Sequence, residues 1–345
     1  MESCRNVLLE FVYEEANAQI QSLGIGIRHK YNLDEVIAYA LNRLPPKFAS
    51  TDVDLLIMRQ QCGAMRTDIN KAVRQALLGV RRDPLRQPES LEDIELANAP
   101  YALLQVQDIL GWKSLMWSDL PKALEDALES AIAKYNSGNY SALVRGTLGQ
   151  NRFNSKMYLH KPVPKSQPPS ESKRRDYEVY MLESRQLVHS LERLVIRMAQ
   201  NRAGSFPQNE LRFIRLEDVL AKSLNRLPPL YATSSKGLGY LRHYAQMNIG
   251  SEVSIIVHET MLKTRQQNLQ RCDQPMFYKV RHEREQALLK VGRMLNREVR
   301  WQNVVEVVSK SLELAKSGKV CWQRESAGSP NAGSPNKEEW RSKPL

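Results

Sequence analysis

The chain of 345 residues is long enough for two domains of ordinary size. Hydrophobic residues make up 42% and charged residues 26%, so the composition excludes a wholly disordered chain. No apolar stretch approaches the roughly 18 residues of a membrane-spanning helix, and no secretory signal pattern stands at the N-terminus. The four cysteines are far apart, which indicates reduced thiols rather than disulfides. We therefore expect a cytoplasmic protein with no membrane segment.

The first clear element in chain order is a helix over residues 33–44. Its apolar residues recur at spacings of three and four, which is the pattern of one buried helix face. Asn32 can cap its start, and Pro45-Pro46 stops it, because the residue before a proline disfavours the helical conformation. Similar stripes open both halves of the chain, and we find no strand alternation flanked by hairpin turns. We therefore predict an all-α fold.

A basic, proline-rich segment follows in the middle of the chain. Residues 152–175 contain seven basic residues and one acidic residue, which is half of the net charge of +12. Four prolines between residues 162 and 169 favour an extended spacer. Charge concentrated in a spacer indicates a linker rather than a basic domain face, so we expect no nucleic-acid binding. The tail from residue 324 repeats Gly-Ser-Pro-Asn without apolar periodicity and is predicted to be disordered.

The two halves of the chain repeat each other. The sequence Leu-Asn-Arg-Leu-Pro-Pro at residues 41–46 returns at residues 224–229, a shift of 183. Over residues 33–51, ten of the 19 positions are identical in the second copy. Farther along, one inserted residue changes the shift to 184, and Trp117 then aligns with Trp301. We interpret this as a tandem duplication of one helical domain.

The duplication predicts the domain organisation. We expect a first helical domain at residues 1–149, a basic linker at 150–175, a second helical domain at 176–323 and a disordered tail at 324–345. Two copies of one domain in a chain can pair about a pseudo-two-fold axis, as the identical subunits of a homodimer do. The sequence leaves open whether two whole chains also associate.

The search for catalytic and metal-binding motifs returns nothing specific. His258-Glu259 begins like a zinc-protease motif, but Leu262 stands where the second histidine belongs. The chain has no Gly-Lys-Ser/Thr phosphate loop and no Gly-x-Ser-x-Gly nucleophile elbow. We therefore expect a protein that is not an enzyme and holds neither cofactor nor metal.

The repeated segment retains polar residues that core packing does not require. Asn42 and Arg43 lie off the apolar stripe of their helix, yet both return in the second copy as Asn225 and Arg226. Two interpretations stay open. These residues bind an anionic, planar ligand shared by the two repeats, or Arg43 pairs with a carboxylate across the interface between the repeats.

The segment from Asp34 to Phe48, together with its copy from Glu217 to Tyr231, resembles the signature of the ComFB family of late-competence proteins. The resemblance covers residues 5–80 and 177–265 well. It implies a helical domain that tends to dimerise, and its cyanobacterial members are receptors for cyclic dinucleotides, chiefly cyclic di-GMP. Some members bind zinc through a cysteine cluster before the motif helix. Neither half of this chain has those cysteines, so we expect no zinc site.

From this resemblance we expect a receptor for cyclic di-GMP, or for cyclic di-AMP, that signals through a protein partner such as a transcription factor. Arginine can pair with a phosphate or a guanine edge, and an aromatic ring can stack on a base. The expected ligand-binding residues are the retained polar and aromatic residues of both copies, with one lysine: Arg43, Arg226, Arg59, Arg242, Asn42, Asn225, Lys47, Phe48 and Tyr231.

A different function stays open beside the receptor. The paired helical domains could serve as a structural adaptor that docks a protein through an apolar groove and binds no nucleotide. The two functions differ in one observable, because a ligand that binds the native state raises the thermal midpoint of a receptor and leaves that of an adaptor unchanged.

Overall fold

The computed structural model describes residues 4–80, 90–144, 171–267, 273–323 and 339–342. Within these ranges the protein is helical with only short strands, so the all-α prediction is confirmed. None of the helices in these ranges is both long and apolar enough to cross a bilayer.

The helices of the first half are α1 Leu8–Ser22, α2 Ile25–Arg28, α3 Leu33–Leu41, α4 Asp52–Ala64, α5 Arg66–Gly79, α6 Asp93–Leu96, α7 Ala99–Leu110 and α8 Leu120–Val144. The helices of the second half are α9 Glu171–Met181, α10 Glu192–Ala203, α11 Gln208–Leu211, α12 Leu216–Leu224, α13 Ser235–Asn248, α14 Gly250–Gln267, α15 Tyr278–Leu295 and α16 Val304–Lys316. The strands are β1 Arg5–Asn6, β2 Phe48–Ala49, β3 Val188–His189, β4 Tyr231–Ala232, β5 Val320–Gln323 and β6 Glu339–Ser342.

Local sequence signals explain where the repeated helices begin and end. The side chain of Asn32 caps α3 by accepting a hydrogen bond from the backbone N–H of Asp34. Thr51 caps α4 and Ser234 caps α13 in the same way, at equivalent positions of the two copies. The motif helices α3 and α12 both end at the leucine before the asparagine of the repeated segment. The first of the two prolines follows that asparagine by three residues.

The chain forms two compact units, and each contains residues from both halves. Unit 1 comprises residues 1–98 and 182–278, and unit 2 comprises residues 99–181 and 279–345. The expected boundaries at 149 and 176 therefore differ from the compact units. The reason is that the helices after each repeated core join each other rather than the core that precedes them, and sequence adjacency cannot show this.

Unit 1 is an intrachain pair of the two repeats. In the first repeat α1, α3 and α5 pack together, and α10, α12 and α14 do the same in the second. Each motif helix also contacts the short strand of the other repeat, α3 against β4 and α12 against β2. One hydrophobic core therefore runs through both copies. These reciprocal contacts agree with the expected pseudo-two-fold pairing.

The connectors that leave the two cores cross over to the opposite repeat. The carbonyl oxygen of Ser90 accepts a hydrogen bond from Ser235 Oγ at 3.0 Å, which ties the first connector to the second repeat. The backbone N–H of Met276 donates to the carbonyl of Ser50 at 2.9 Å, which ties the second connector to the first repeat. This exchange adds to the contacts that hold the repeats together.

Unit 2 is built from the later helices of both halves. Helix α16 packs against α7 and α8, and α7 also contacts α9. Trp117 is fully buried, and its indole Nε1 donates to the hydroxyl of Tyr180 at 3.1 Å. Its backbone N–H donates to the hydroxyl of Tyr177 at 2.6 Å. The tyrosines of α9 thus anchor the turn that precedes α8.

The expected linker and tail lie largely outside the described residues. Residues 150–170 of the linker are not described, and its last five residues begin α9. Of the tail, residues 339–342 form β6, which pairs antiparallel with β5 so that Val320 faces Ser342. The sequence pattern did not indicate this strand, because backbone pairing with another segment needs no apolar periodicity, and the disorder of the tail stays a prediction.

Candidate functional site

The retained asparagines join the two repeats of unit 1. Asn42 Nδ2 donates to the carbonyl oxygen of Tyr231 at 3.0 Å, and Asn42 Oδ1 accepts from the backbone N–H of Tyr231 at 2.7 Å. Asn225 makes the same two bonds to Phe48, at 2.8 Å and 2.6 Å. A side-chain amide has an N–H donor and a carbonyl acceptor, and these match the C=O and the N–H of one backbone residue. This reciprocal pairing explains why both copies keep asparagine.

The two retained aromatic rings are buried in the same interface. Phe48 is 6% exposed and Tyr231 is 8% exposed. His189 lies edge-on to both rings, with centroid distances of 5.6 Å to Phe48 and 4.7 Å to Tyr231. The hydroxyl of Tyr231 accepts a hydrogen bond from Asn6 at 2.9 Å. The rings therefore stabilise the pairing of the repeats, and neither presents a face on which a base could stack.

Burial changes the protonation of this cluster. It lowers the pKa of His189 to about 3, so the imidazole stays neutral at physiological pH. It also raises the pKa of the Tyr231 hydroxyl, which therefore keeps its proton. The side chains of His189 and Tyr231 in this aromatic cluster are therefore uncharged.

Arg59 and Arg242 hold carboxylates within unit 1. Arg59 on α4 pairs with Glu10 on α1, with a shortest contact of 3.1 Å. Arg242 on α13 makes a two-pronged pair with Glu95, at 2.9 Å and 2.7 Å. That hydrogen bond holds the pKa of Glu95 below its usual value and raises the pKa of Arg242. Both arginines therefore have an anionic partner inside the protein.

Arg43 and Arg226 lie on the surface with different partners. Arg226 pairs with Glu259 at 2.8 Å, and the hydrogen bond lowers the pKa of that exposed carboxyl. The Arg43 guanidinium lies over the ring of Tyr39, with Cζ 3.4 Å from the ring centroid, and Nη1 donates to the Tyr39 carbonyl at 3.1 Å. Within the described ranges no carboxylate pairs with Arg43. Its remaining N–H groups therefore stay available to an anion.

Lys47 follows Arg43 by four residues in the sequence, and Tyr39 is the residue on which Arg43 stacks. The Lys47 ammonium donates to Gln61 Oε1 at 2.9 Å and has no carboxylate partner among the described residues. The ring of Tyr39 lies so close to Gly79 that a Cβ there would come within 2.7 Å of it. Glycine at this position thus allows the ring to lie where Arg43 stacks on it.

The structure places the nine expected residues in three groups. Asn42, Asn225, Phe48 and Tyr231 meet at the interface between the repeats. Arg59 and Arg242 hold internal carboxylates, whereas Arg43, Arg226 and Lys47 lie at the surface. Sequence reasoning missed His189, although the shift of 183 aligns it with Asn6, and both residues contact Tyr231.

Unit 2 contains a cavity of about 610 Å³ between α7, α8 and α16. Its lining is a mixture of polar and apolar surface, with Trp112 and Tyr135 among the aromatic residues and Asp126 among the charged ones. None of the nine expected residues lines it. In the described part of the chain, no group of three or more histidine, cysteine or acidic residues is placed to hold a metal ion.

Comparison with known proteins agrees with the two-fold organisation of unit 1. The family model of the late competence development protein ComFB matches residues 5–84 and again residues 190–268. Both matched segments lie in unit 1, so unit 2 is outside the family match. No curated protein and no solved structure matches the chain. The chain therefore carries two ComFB domains in tandem, one in each half.

Proposed function

We propose that this protein is a non-catalytic receptor for a cyclic dinucleotide, with cyclic di-GMP as the ligand, and that it acts in the cytoplasm. The observation that supports the proposal is the state of Arg43. Its guanidinium is exposed, lies over the ring of Tyr39, and pairs with no carboxylate of the described residues. A guanidinium oriented in this way can pair with a phosphate or with the O6/N7 edge of guanine.

The second cation of the same segment favours an anionic ligand. Lys47 follows Arg43 by four residues, and among the described residues a neutral amide, that of Gln61, is what its ammonium contacts. Cyclic di-GMP carries two phosphodiester charges, which two cations can match. The ring of Tyr39 covers one face of the Arg43 guanidinium, and this stacking holds the guanidinium in place before a ligand binds.

The second repeat should bind more weakly than the first. Arg226, the equivalent of Arg43, pairs with Glu259, and Leu230 replaces Lys47. A ligand there must displace a carboxylate and finds one cation fewer. We therefore propose one principal site per chain, at Arg43.

Replacing Arg43 by alanine is expected to weaken cyclic di-GMP binding about 10- to 100-fold, because a charge-assisted contact contributes about 1.5–3 kcal/mol. Arg226→Ala is expected to weaken it less than threefold. The measurement is isothermal titration of the full chain with cyclic di-GMP. A linear dinucleotide serves as the control ligand.

Arg212→Ala is the matched control variant for this titration. Arg212 is another exposed arginine of unit 1, and its guanidinium lies over the ring of Phe213 at 4.6 Å. This variant should bind like the unmodified chain. Absence of any heat with cyclic di-GMP at tens of micromolar protein would refute the receptor, and equal losses in the Arg43 and Arg212 variants would refute the site.

A structural adaptor is the second candidate, and exposed apolar residues on equivalent helices favour it. Ile57 on α4 is 48% exposed, and Tyr240 at the equivalent position of α13 is 70% exposed. Such residues are typical of surfaces that contact a protein, including the transcription-factor partner that a receptor would need. An adaptor without a ligand shows no rise of its thermal midpoint with cyclic di-GMP, whereas the receptor does.

A further inference from the structure

The two repeats differ in charge at one pair of equivalent positions. In the first repeat, Glu10 on α1 pairs with Arg59 on α4. The shift of 183 aligns Glu10 with Arg193 and Arg59 with Arg242. The second repeat therefore has two arginines where the first has an ion pair, and its own α10 supplies no carboxylate at that position.

A carboxylate from the first connector lies between these two arginines. Glu95 Oε2 is 2.9 Å from Arg193 Nη1 and 2.7 Å from Arg242 Nη2, and Oε1 accepts from Arg242 Nη1 at 2.9 Å. Arg193 Nη2 also donates to the carbonyl of Ile94 at 2.9 Å. The Glu95 side chain is 14% exposed, so the three charges form one compact, half-closed cluster.

We propose that Arg193 and Arg242 form a binding site for a phosphate-type oxyanion, and that Glu95 occupies it as a tethered competitor. Two guanidinium groups converge on a single oxygen of Glu95 and leave a net charge of +1 in the cluster. A carboxylate has two oxygens in one plane. A phosphate has oxygens in several directions, so separate oxygens can serve each guanidinium.

The position of Glu95 in the fold makes it displaceable. Glu10 belongs to a helix of 15 residues in the repeat that it serves, whereas Glu95 belongs to the four-residue helix α6 of the crossing connector. Of its two neighbours, Ile94 is 68% exposed and Leu96 is buried, so displacement is a movement of the Glu95 side chain and does not release the connector. The side chains of Arg193 and Arg242 are 53% and 37% exposed, so an anion in solution can reach both guanidinium groups and compete with Glu95.

This site is independent of the proposed dinucleotide site. It uses Arg193 and Arg242, whereas the receptor proposal depends on Arg43. Failure of one proposal therefore leaves the other unaffected, and a phosphate titration in an Arg43→Ala background separates them.

Removing the competitor tests the proposal. The full chain with Glu95→Ala is titrated with inorganic phosphate at constant ionic strength. We expect it to bind phosphate at least tenfold more tightly than the unmodified chain, and Glu95→Ala with Arg242→Ala to lose this gain. Equal phosphate affinity in the Glu95→Ala variant and the unmodified chain would overturn the proposal.

Two further variants separate an effect on phosphate binding from an effect on folding. Glu95→Gln keeps the size of the side chain and removes its charge, so it should also gain phosphate affinity if the alanine variant does not fold. Arg193→Glu recreates the ion pair of the first repeat and should abolish the gain when combined with Glu95→Ala. A gain that survives Arg193→Glu would place phosphate elsewhere and overturn the assignment.

A second titration identifies the source of the phosphate group. In the chain with Glu95→Ala and Arg43→Ala, cyclic di-GMP is tested beside inorganic phosphate. Binding of both ligands, lost with Arg242→Ala, supports an oxyanion site that accepts the diester of a nucleotide. Binding of phosphate alone supports a site for the dianion, and binding of neither contradicts the site.

Discussion

Replacing Asn225 by alanine is expected to lower the free energy of unfolding of unit 1 by about 2–4 kcal/mol. Asn225 supplies an acceptor for the backbone N–H of Phe48 and a donor for its carbonyl. The variant leaves both groups without these partners beside a buried strand, and each such group costs about 1–3 kcal/mol. Asn42→Ala should act in the same way on Tyr231. Denaturant unfolding followed by circular dichroism measures the loss.

Amide hydrogen exchange gives a local readout for the same variants. Exchange should accelerate at Phe48 in the Asn225 variant and at Tyr231 in the Asn42 variant, because each amide loses its acceptor across the interface. Fluorescence is unsuited to this purpose, since all five tryptophans belong to unit 2: Trp112, Trp117, Trp301, Trp322 and Trp340.

Asn248→Ala is the matched control for the interface asparagines. Asn248 is exposed on α13, and its side chain donates to the carbonyl of Tyr244 in its own helix. Its loss should change stability by no more than about 0.5 kcal/mol, as is usual for surface substitutions. If the interface variants behaved like this control, the asparagines would not hold the repeats together.

Acidification from pH 6.5 to pH 3 is expected to destabilise unit 1 through His189 by up to about 4 kcal/mol. Burial lowers the pKa of His189 to about 3, whereas an unfolded histidine titrates near pH 6.5. Between these values the unfolded chain binds the extra proton and the folded chain does not. The contribution to stability is therefore fully present above pH 6.5 and is lost as the pH falls to about 3.

Glu192 opposes this trend in part of the same range. Burial raises the pKa of Glu192 to about 7. Its contribution to the stability of the folded state is therefore fully present below about pH 4.5 and is lost as the pH rises through 7. A pH profile of the unmodified chain alone therefore mixes both groups. The effect of His189 is isolated by comparing variants at the same pH values.

His189→Asn is the informative variant, because the first repeat has Asn6 at the equivalent position. We expect it to lose about 3 kcal/mol less stability than the unmodified chain when the pH falls from 7.5 to 4. Urea unfolding at the two pH values measures the difference. His243→Asn, which changes an exposed histidine, is the control. An acid loss in His189→Asn as large as in the unmodified chain would show that His189 does not carry the effect.

The duplication explains retention at some positions and divergence at others. Asn42 and Asn225 are identical because each makes the same two bonds to the backbone of the opposite repeat. Glu10 and Arg193 differ because the second repeat receives its carboxylate from Glu95 instead. Retention in both copies therefore indicated importance correctly, while it could not distinguish an interface contact from a ligand contact.

The amino-acid sequence by itself determined the helices, the repeat and the family. Apolar spacing, an asparagine cap and a proline stop predict α3 over residues 33–44, and the structure has it over Leu33–Leu41. These signals are local, because they act between residues a few positions apart along one helix. The shift of 183 between equivalent residues can likewise be found by comparing the two halves of the sequence.

Only the tertiary structure decided what the retained side chains contact. Asn42 meets Tyr231 across 189 positions, and Arg242 meets Glu95 across 147. Which residues belong to each compact unit also depended on the connectors that cross between the repeats. Contacts of this kind follow from which surfaces pack against each other. A local pattern carries no information about a partner so far away along the chain, since many alternative pairings satisfy the same helix periodicity.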